Sequence, residues 1–161
     1  MKQTEESRMS PLIHSEEFPD IDLYMDQVIT FMEKKYPGRI LTKTMINNYT
    51  KDRILPPPVK KKYSPEHLML LTLLQVLKGT QSLPEIKKVL YPISQELGKG
   101  NKEPLYALYD SFYDLHTHIF ALIRKTQDDL NTLTPELGLR VLSMALIAGY
   151  FKDVSSELLE D

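Results

Sequence analysis

The sequence contains no cysteine. This absence excludes disulfide bonds, thiolate metal sites and cysteine nucleophiles, and it fits a reducing compartment. Residues 1–19 are polar and lack the apolar core that is typical of a signal peptide. The most apolar stretch, residues 141–151, is interrupted by Ser143 and Gly149 and is too short to span a bilayer. We therefore expect a cytoplasmic protein with no membrane association.

The sequence also lacks a recognisable set of catalytic residues. It has no glycine-rich phosphate loop, no serine nucleophile elbow and no pair of histidines at ligand spacing on a helix. His116 and His118 are two residues apart and would point to different faces of a helix, while His14 and His67 are expected to be structural or solvated. We expect no enzyme activity, no bound metal and no cofactor.

Positive charge is concentrated in one part of the chain. Residues 39–62 contain seven basic side chains and one acidic one, a net charge of +6 in a chain of 161 residues with a total of −2, so the remainder carries −8. Such a local basic region matches the phosphates of nucleic acid. The alternative is that these side chains are simply solvated, as most short lysine runs in loops are.

Helical signals flank this basic region. Apolar residues recur at three- and four-residue intervals over residues 21–36 and predict an amphipathic helix that ends at Tyr36-Pro37-Gly38. Thr42 is expected to cap a second helix that buries Ile46 and has Tyr49 half in the core. The spacing of these two helices is compatible with a helix-turn-helix.

Three prolines, Pro56-Pro57-Pro58, then favour extended geometry and a stiff basic loop over residues 59–63, with a short two-stranded wing as an alternative. Ser64-Pro65 predicts the start of a leucine-dense helix, which we expect to be the most buried helix of the N-terminal lobe, residues 20–95. Ser82-Leu83-Pro84-Glu85 is a capping box that opens another short helix.

Four motifs in this order give the chain a family resemblance. They are Ile46-Asn47-Asn48-Tyr49, Ile54-Leu55-Pro56, Lys61-Lys62-Tyr63-Ser64 and Ser82-Leu83-Pro84-Glu85-Ile86. In order and spacing, residues 41–90 resemble the MerR-like winged helix-turn-helix domain. The whole chain also resembles a bacterial family of uncharacterised proteins that combine this lobe with a helical C-terminal half.

This resemblance implies DNA binding, with the second helix in the major groove and the lysine loop on phosphates. Asparagine can read adenine through paired hydrogen bonds, and lysine or threonine can reach phosphates. The candidate DNA contacts are Arg39, Lys43, Thr44, Asn47, Asn48, Lys51, Arg53, Lys60, Lys61 and Lys62. We expect a transcriptional regulator that binds double-stranded DNA. Because Asn47 and Asn48 stand where the family has arginine and tyrosine, the alternative is a protein-interaction module that has lost DNA binding.

The C-terminal half is predicted to be a pair of helices. After a glycine-flanked hinge at residues 97–101, apolar residues follow a heptad pattern over residues 103–130, and a last helix that ends near Gly149 is apolar all round. Burial between two subunits of a homodimer would cover it, and folding back within the monomer is the alternative. Aromatic residues here are either core or the lining of a small-molecule effector pocket. They are Tyr106, Tyr109, Phe112, Tyr113 and Phe120.

We therefore predict a mainly α-helical protein in three parts. A flexible arm covers residues 1–19, a winged helix-turn-helix lobe covers residues 20–95, and a helical dimerisation or regulatory lobe covers residues 102–161.

Overall fold

The computed structural model describes residues 12–160. Six α-helices and one two-stranded antiparallel sheet form this part of the chain, which confirms the prediction of a mainly α-helical protein. In chain order, after a 3-10 turn at Ser15–Glu17, the elements are β1 (Leu23–Tyr24), α1 (Met25–Lys35), α2 (Lys43–Lys51), β2 (Lys62–Tyr63), α3 (Pro65–Leu77), α4 (Leu83–Gly98), α5 (Glu103–Leu133) and α6 (Leu137–Glu157).

The chain divides into two compact units, the first ending at Asp114 and the second beginning at Leu115. This division lies inside α5, whereas the sequence predicted a boundary at residues 97–101. The glycine-flanked turn does exist, with Gly100 at a φ of +88°. However, Leu105 and Tyr109 on the first turns of α5 are fully buried in the core of the first unit.

Helix α3 forms the centre of the first unit. Ten of its residues, from Glu66 to Gln75, are buried, and this confirms that the leucine-dense helix is the most buried one. Apolar side chains from the other elements complete this core. They include Val28 and Met32 of α1, Ile46 of α2, and Ile86 and Leu90 of α4.

The small sheet differs from the predicted wing. Residues expected to begin the first helix instead form β1, which pairs with β2 in the register Leu23↔Tyr63 and Tyr24↔Lys62. Leu23 and Tyr63 are buried while Tyr24 is exposed, so the alternating pleat places one face of this ladder on the core. Within the basic loop itself, the described ladder contact is a single bridge between Val59 and Lys62.

The predicted flexible arm falls partly outside the described residues, which begin at residue 12. From there the chain packs on the first unit. The ring of Phe18 lies 5.7 Å from that of Tyr109, and the Tyr109 hydroxyl donates a 2.7 Å hydrogen bond to the carbonyl of Ile13. Residues 12–18 are therefore attached to the core by both apolar and polar contacts.

The second unit consists of the later part of α5, a short turn and α6. Helix α6 runs to Glu157, beyond the predicted end near Gly149. Arg140 on α6 donates a 3.0 Å hydrogen bond to the Asn131 side chain on α5. Within residues 12–160, no helix combines the length and the apolar character needed to cross a membrane.

Candidate nucleic-acid interface

Helix α2 presents one polar face to solvent. The side-chain oxygen of Thr42 accepts a 3.2 Å hydrogen bond from the Met45 amide, so the predicted N-cap is confirmed. Ile46 and Tyr49 are buried on the inner face. The exposed positions recur at intervals of about four residues, as one face of a helix requires. They are Lys43, Thr44, Asn47, Asn48 and Lys51.

Lys43 differs from its neighbours because it has a partner on α1. Its ammonium lies 2.7 Å from the carboxylate of Asp26, and both side chains are largely exposed. An exposed ion pair of this kind contributes roughly 0–1 kcal/mol, so a phosphate can replace Asp26 at little cost. The pair joins the first turn of α2 to that of α1.

The connection between α1 and α2, residues 36–42, is longer than the three- or four-residue turn of a typical helix-turn-helix. Arg39 lies in it, and its guanidinium donates a 2.7 Å hydrogen bond to the carbonyl of Gln75 in the last turn of α3. This candidate DNA contact therefore also has a structural partner at the C-terminal end of a helix, where positive charge is favourable.

Helix α2 ends at Lys51, and two residues later Arg53 has a φ of 61°, in the left-handed region that usually requires glycine. The Arg53 amide bonds to the Thr50 carbonyl, and the Ile54 amide bonds to the Tyr49 carbonyl. These two bonds form a Schellman motif, and the buried Ile54 supplies its apolar contact. The arginine is exposed and held in a backbone conformation that it seldom adopts.

The basic loop contains a tight turn with lysine at both central positions. The Val59 amide bonds to the Lys62 carbonyl and the Lys62 amide bonds to the Val59 carbonyl, at 3.0 and 2.9 Å. Lys60 and Lys61 have φ values of 50° and 64°, the pattern of a type I′ turn. Asn-Gly is the preferred pair there, because glycine has no Cβ and the short polar side chain of asparagine tolerates positive φ better than lysine does.

The second strand connects this turn to the core. Tyr63 is buried, and the Lys62 ammonium lies 5.2 Å from the centre of the Tyr24 ring on β1, in a cation–π contact. Lys60 and Lys61 are exposed at the tip, and Lys62 is half-buried at the base. The turn is therefore fixed by backbone pairing on one side and by a ring contact on the other.

The imidazole of His67 attaches the proline segment to α3. Its Nδ1 accepts a 3.0 Å hydrogen bond from the Ser64 amide, so Nε2 carries the proton and donates to the Pro56 carbonyl at 3.1 Å. Burial lowers the pKa of His67 below its usual value, although the Pro56 carbonyl opposes the shift. The neutral ring thus holds the base of the basic loop.

A buried carboxylate lies next to His67. Oε1 of Glu66 accepts hydrogen bonds from the Lys102 ammonium at 2.8 Å and from the Tyr106 hydroxyl at 3.1 Å. Burial alone would raise the pKa of Glu66, but the Lys102 ammonium, helped by the Ser64 hydroxyl, lowers it to about 2. Sequence reasoning missed this pair. A glutamate within a leucine-dense helix was the available signal, but nothing in the sequence connects it to Lys102.

Three further features bear on ligand or metal binding: the aromatic residue Tyr109, the open clefts and the groups of possible metal ligands. Tyr109 is fully buried in the first unit, which assigns it to the core and not to a pocket in the C-terminal helices. Two open clefts of about 280 and 450 Å³ lie beside the proline segment, and both are lined by Pro56, Pro57 and Gly98. Among residues 12–160, no group of three or more histidine or acidic side chains is placed to hold a metal ion.

Comparison with known proteins yields one match. The family described as Domain of unknown function (DUF1836) matches residues 13–112. The matched range lies within the first unit and contains α2, the basic turn and the Glu66–Lys102 pair. No curated protein and no solved structure matches the chain.

Proposed function

The chain belongs to the DUF1836 family, a family of unknown function, and we propose that it binds double-stranded DNA as a transcriptional regulator. In this proposal the exposed face of α2 lies in the major groove, and the basic turn contacts the flanking phosphates. We also propose that the first unit contains a MerR-like winged helix-turn-helix domain. In this domain the sheet of β1 and β2 would take the place of the wing.

The turn at Lys60 and Lys61 is the observation that carries the proposal. Both residues have positive φ, and each costs about 1–2 kcal/mol relative to a residue without that steric conflict. Strained backbone that is held by its surroundings is typical of functional sites. Asn-Gly would form the same turn without this cost but also without its two charges. The presence of lysine at both central positions, despite the strain, is explained if the two positive charges take part in binding.

The rigidity of the turn supports phosphate binding. Backbone pairing with Val59, the Tyr24 ring and the His67 contact to Pro56 all restrain the loop before any ligand arrives. A preorganised loop loses less conformational entropy on binding than a flexible one. The exposed polar face of α2 then supplies the groups that can read bases, with Asn47 and Asn48 at its centre.

The proposal is tested by the salt dependence of binding to a duplex. Replacing Lys60 and Lys61 with alanine should weaken binding to all sequences and lower the slope of log K against log salt concentration by about 2, if each lysine neutralises one phosphate. The matched control replaces Lys87 and Lys88, two exposed lysines of α4, with alanine. Equal slopes for the Lys60/Lys61 variant and the control would reject the basic turn as the phosphate contact.

The second candidate is a protein-interaction module, and two observations favour it. The connection between α1 and α2 is longer than a helix-turn-helix turn, and the second unit exposes many apolar side chains. Absence of salt-dependent duplex binding by the intact chain, together with capture of a stable protein partner, would favour this alternative.

A further inference from the structure

The second unit has almost no apolar core of its own. Among residues 115–160, Leu130 is the one buried side chain. Fourteen large apolar side chains of this unit are instead exposed. They are Leu115, Ile119, Leu122, Ile123, Leu133, Leu137, Leu139, Val141, Leu142, Met144, Leu146, Tyr150, Phe151 and Leu158.

A pair of helices with so few buried side chains cannot be stable without a partner. Ordering each residue costs roughly 1.5 kcal/mol of conformational entropy, which must be offset mainly by burial of apolar surface. In proteins, most of the stability of a helix comes from packing of its apolar face and not from intrinsic helix propensity. The contact between Arg140 and Asn131 is exposed and cannot supply the difference. Another surface must therefore cover these helices.

The apolar surface extends around α6 and is not confined to one stripe. At 3.6 residues per turn, the exposed positions Leu139, Val141, Leu142, Met144 and Leu146 point in different directions around the helix axis. A membrane surface or a single groove would cover one side only, because an interfacial helix needs a polar face. A bundle, in which each helix has several neighbours, covers such a helix.

The exposed area favours a second copy of the chain, and the charge argues against an anionic partner. These fourteen side chains are between 37% and 78% exposed, and together they present roughly 500–1,000 Å² of apolar surface, at about 60–120 Å² for a fully exposed one. This range extends above the roughly 300–600 Å² patch of a typical monomer and includes the roughly 800 Å² that each partner buries in a stable interface. Residues 115–160 carry four basic and six acidic side chains, so no excess of positive charge directs them to anionic lipid or nucleic acid.

We propose that the second unit is a self-association surface: two copies of this unit pack into a four-helix bundle and form a homodimer. The heptad pattern on α5, with Leu115, Ile119 and Leu122 exposed, supplies the helix–helix seam. A two-fold dimer holds two copies of α2, so a DNA site, if bound, would be palindromic. The dimer itself does not depend on DNA binding.

Sedimentation of the intact chain tests the proposal. At micromolar concentration we expect twice the monomer mass of 18.7 kDa. Replacing Leu142 and Leu146 with lysine should return the mass to that of the monomer, because both side chains are about 70% exposed in a single chain and are buried only in the dimer. The matched control, Ile21→Lys with Ile40→Lys, places two lysines at exposed apolar positions of the first unit and should leave the dimer intact.

Thermal unfolding of the unaltered protein provides a test that does not depend on how the variants fold. If the bundle forms only in the dimer, the midpoint of helix loss should rise with protein concentration, since association stabilises the folded state by mass action. A monomer mass for the wild type, a dimeric Leu142/Leu146 variant, or a midpoint independent of concentration would each overturn the proposal. Monomeric protein that sediments with phosphatidylserine vesicles would identify a membrane as the partner instead.

Discussion

The Lys102 ammonium lies 2.8 Å from Oε1 of Glu66, a side chain that is 3% exposed on the central helix. Lys102 itself is 59% exposed and precedes the first turn of α5. The pair therefore joins α5 to α3 within the first unit and neutralises a carboxylate that would otherwise be buried with its charge uncompensated. The contribution of this ion pair to the free energy of unfolding can be measured separately from that of apolar packing by replacing Lys102.

We expect Lys102→Met to lower the free energy of unfolding at pH 7 by about 1–2 kcal/mol. This is less than the contribution of a fully buried hydrogen bond to a charged group, because solvent screens the exposed ammonium. Urea denaturation would measure the change. Lys99→Met is the matched control, since its partner Glu96 is not in the core. Equal stability of the wild type and the Lys102 variant would contradict this account.

The same pair predicts a pH dependence. Because the pKa of Glu66 falls from 4.5 to about 2 on folding, its contribution to stability is fully present above pH 4.5 and is lost as the pH falls toward 2. The stability of the Lys102→Met variant should decline less steeply across this window. Urea titrations of both proteins between pH 5 and 3 would compare the two slopes.

His67 should titrate below its ordinary value of 6.5, because burial disfavours the imidazolium. Its neutral form contributes stability above pH 6.5, and that contribution is lost as the pH falls through the lowered pKa. Proton NMR of the ring would measure the pKa.

We expect His67→Ala to lower the free energy of unfolding by about 1–3 kcal/mol, since the Ser64 amide and the Pro56 carbonyl lose their partner. His118→Ala, at an exposed position, should leave stability unchanged.

The basic turn should show a trade-off between stability and binding. We expect Lys60→Asn with Lys61→Gly to raise the free energy of unfolding by about 1–2 kcal/mol, because these residues adopt positive φ more readily. The same change should weaken binding to DNA, since it removes two charges. Lys60→Ala with Lys61→Ala removes the charges but keeps the strain, and should weaken binding with no gain in stability. A tighter-binding Asn-Gly variant would contradict the assigned role of the turn.

Asn47 and Asn48 should govern sequence preference. If either makes a paired hydrogen bond to adenine, its replacement by alanine should reduce discrimination at one base position by about 1–3 kcal/mol. Lys51→Ala on the same exposed face should weaken binding to all sequences alike, as loss of a phosphate contact does. Competition titrations against single-base variants of a bound fragment would separate the two patterns. Unchanged discrimination in both asparagine variants would exclude them from base reading.

Features set by local chemistry could be predicted from the sequence. Thr42 caps α2 because its hydroxyl meets an amide three residues later, and the Ser64-Pro65 start of α3 depends on neighbours in the chain. The burial of α3 follows from its density of leucine. Each of these signals lies within one turn of the feature that it specifies.

Features set by distant contacts could not be predicted. Strand β1 has two residues, and it forms because Leu23 meets Tyr63 forty residues later. The Glu66–Lys102 pair likewise joins residues with no shared local pattern. The positive φ values of the basic turn could not be predicted for a different reason: lysine disfavours positive φ, so the backbone at Lys60 and Lys61 is set by the surrounding structure and not by local propensity.

The most direct test of the central claim is an anisotropy titration of the intact protein with genomic DNA fragments, in low and then moderate salt, with unlabelled competitor DNA. We expect saturable binding that weakens with salt and still prefers some fragments over the competitor. Binding that disappears at moderate salt without any preference, or no binding at low salt, would contradict a role in sequence-specific DNA recognition.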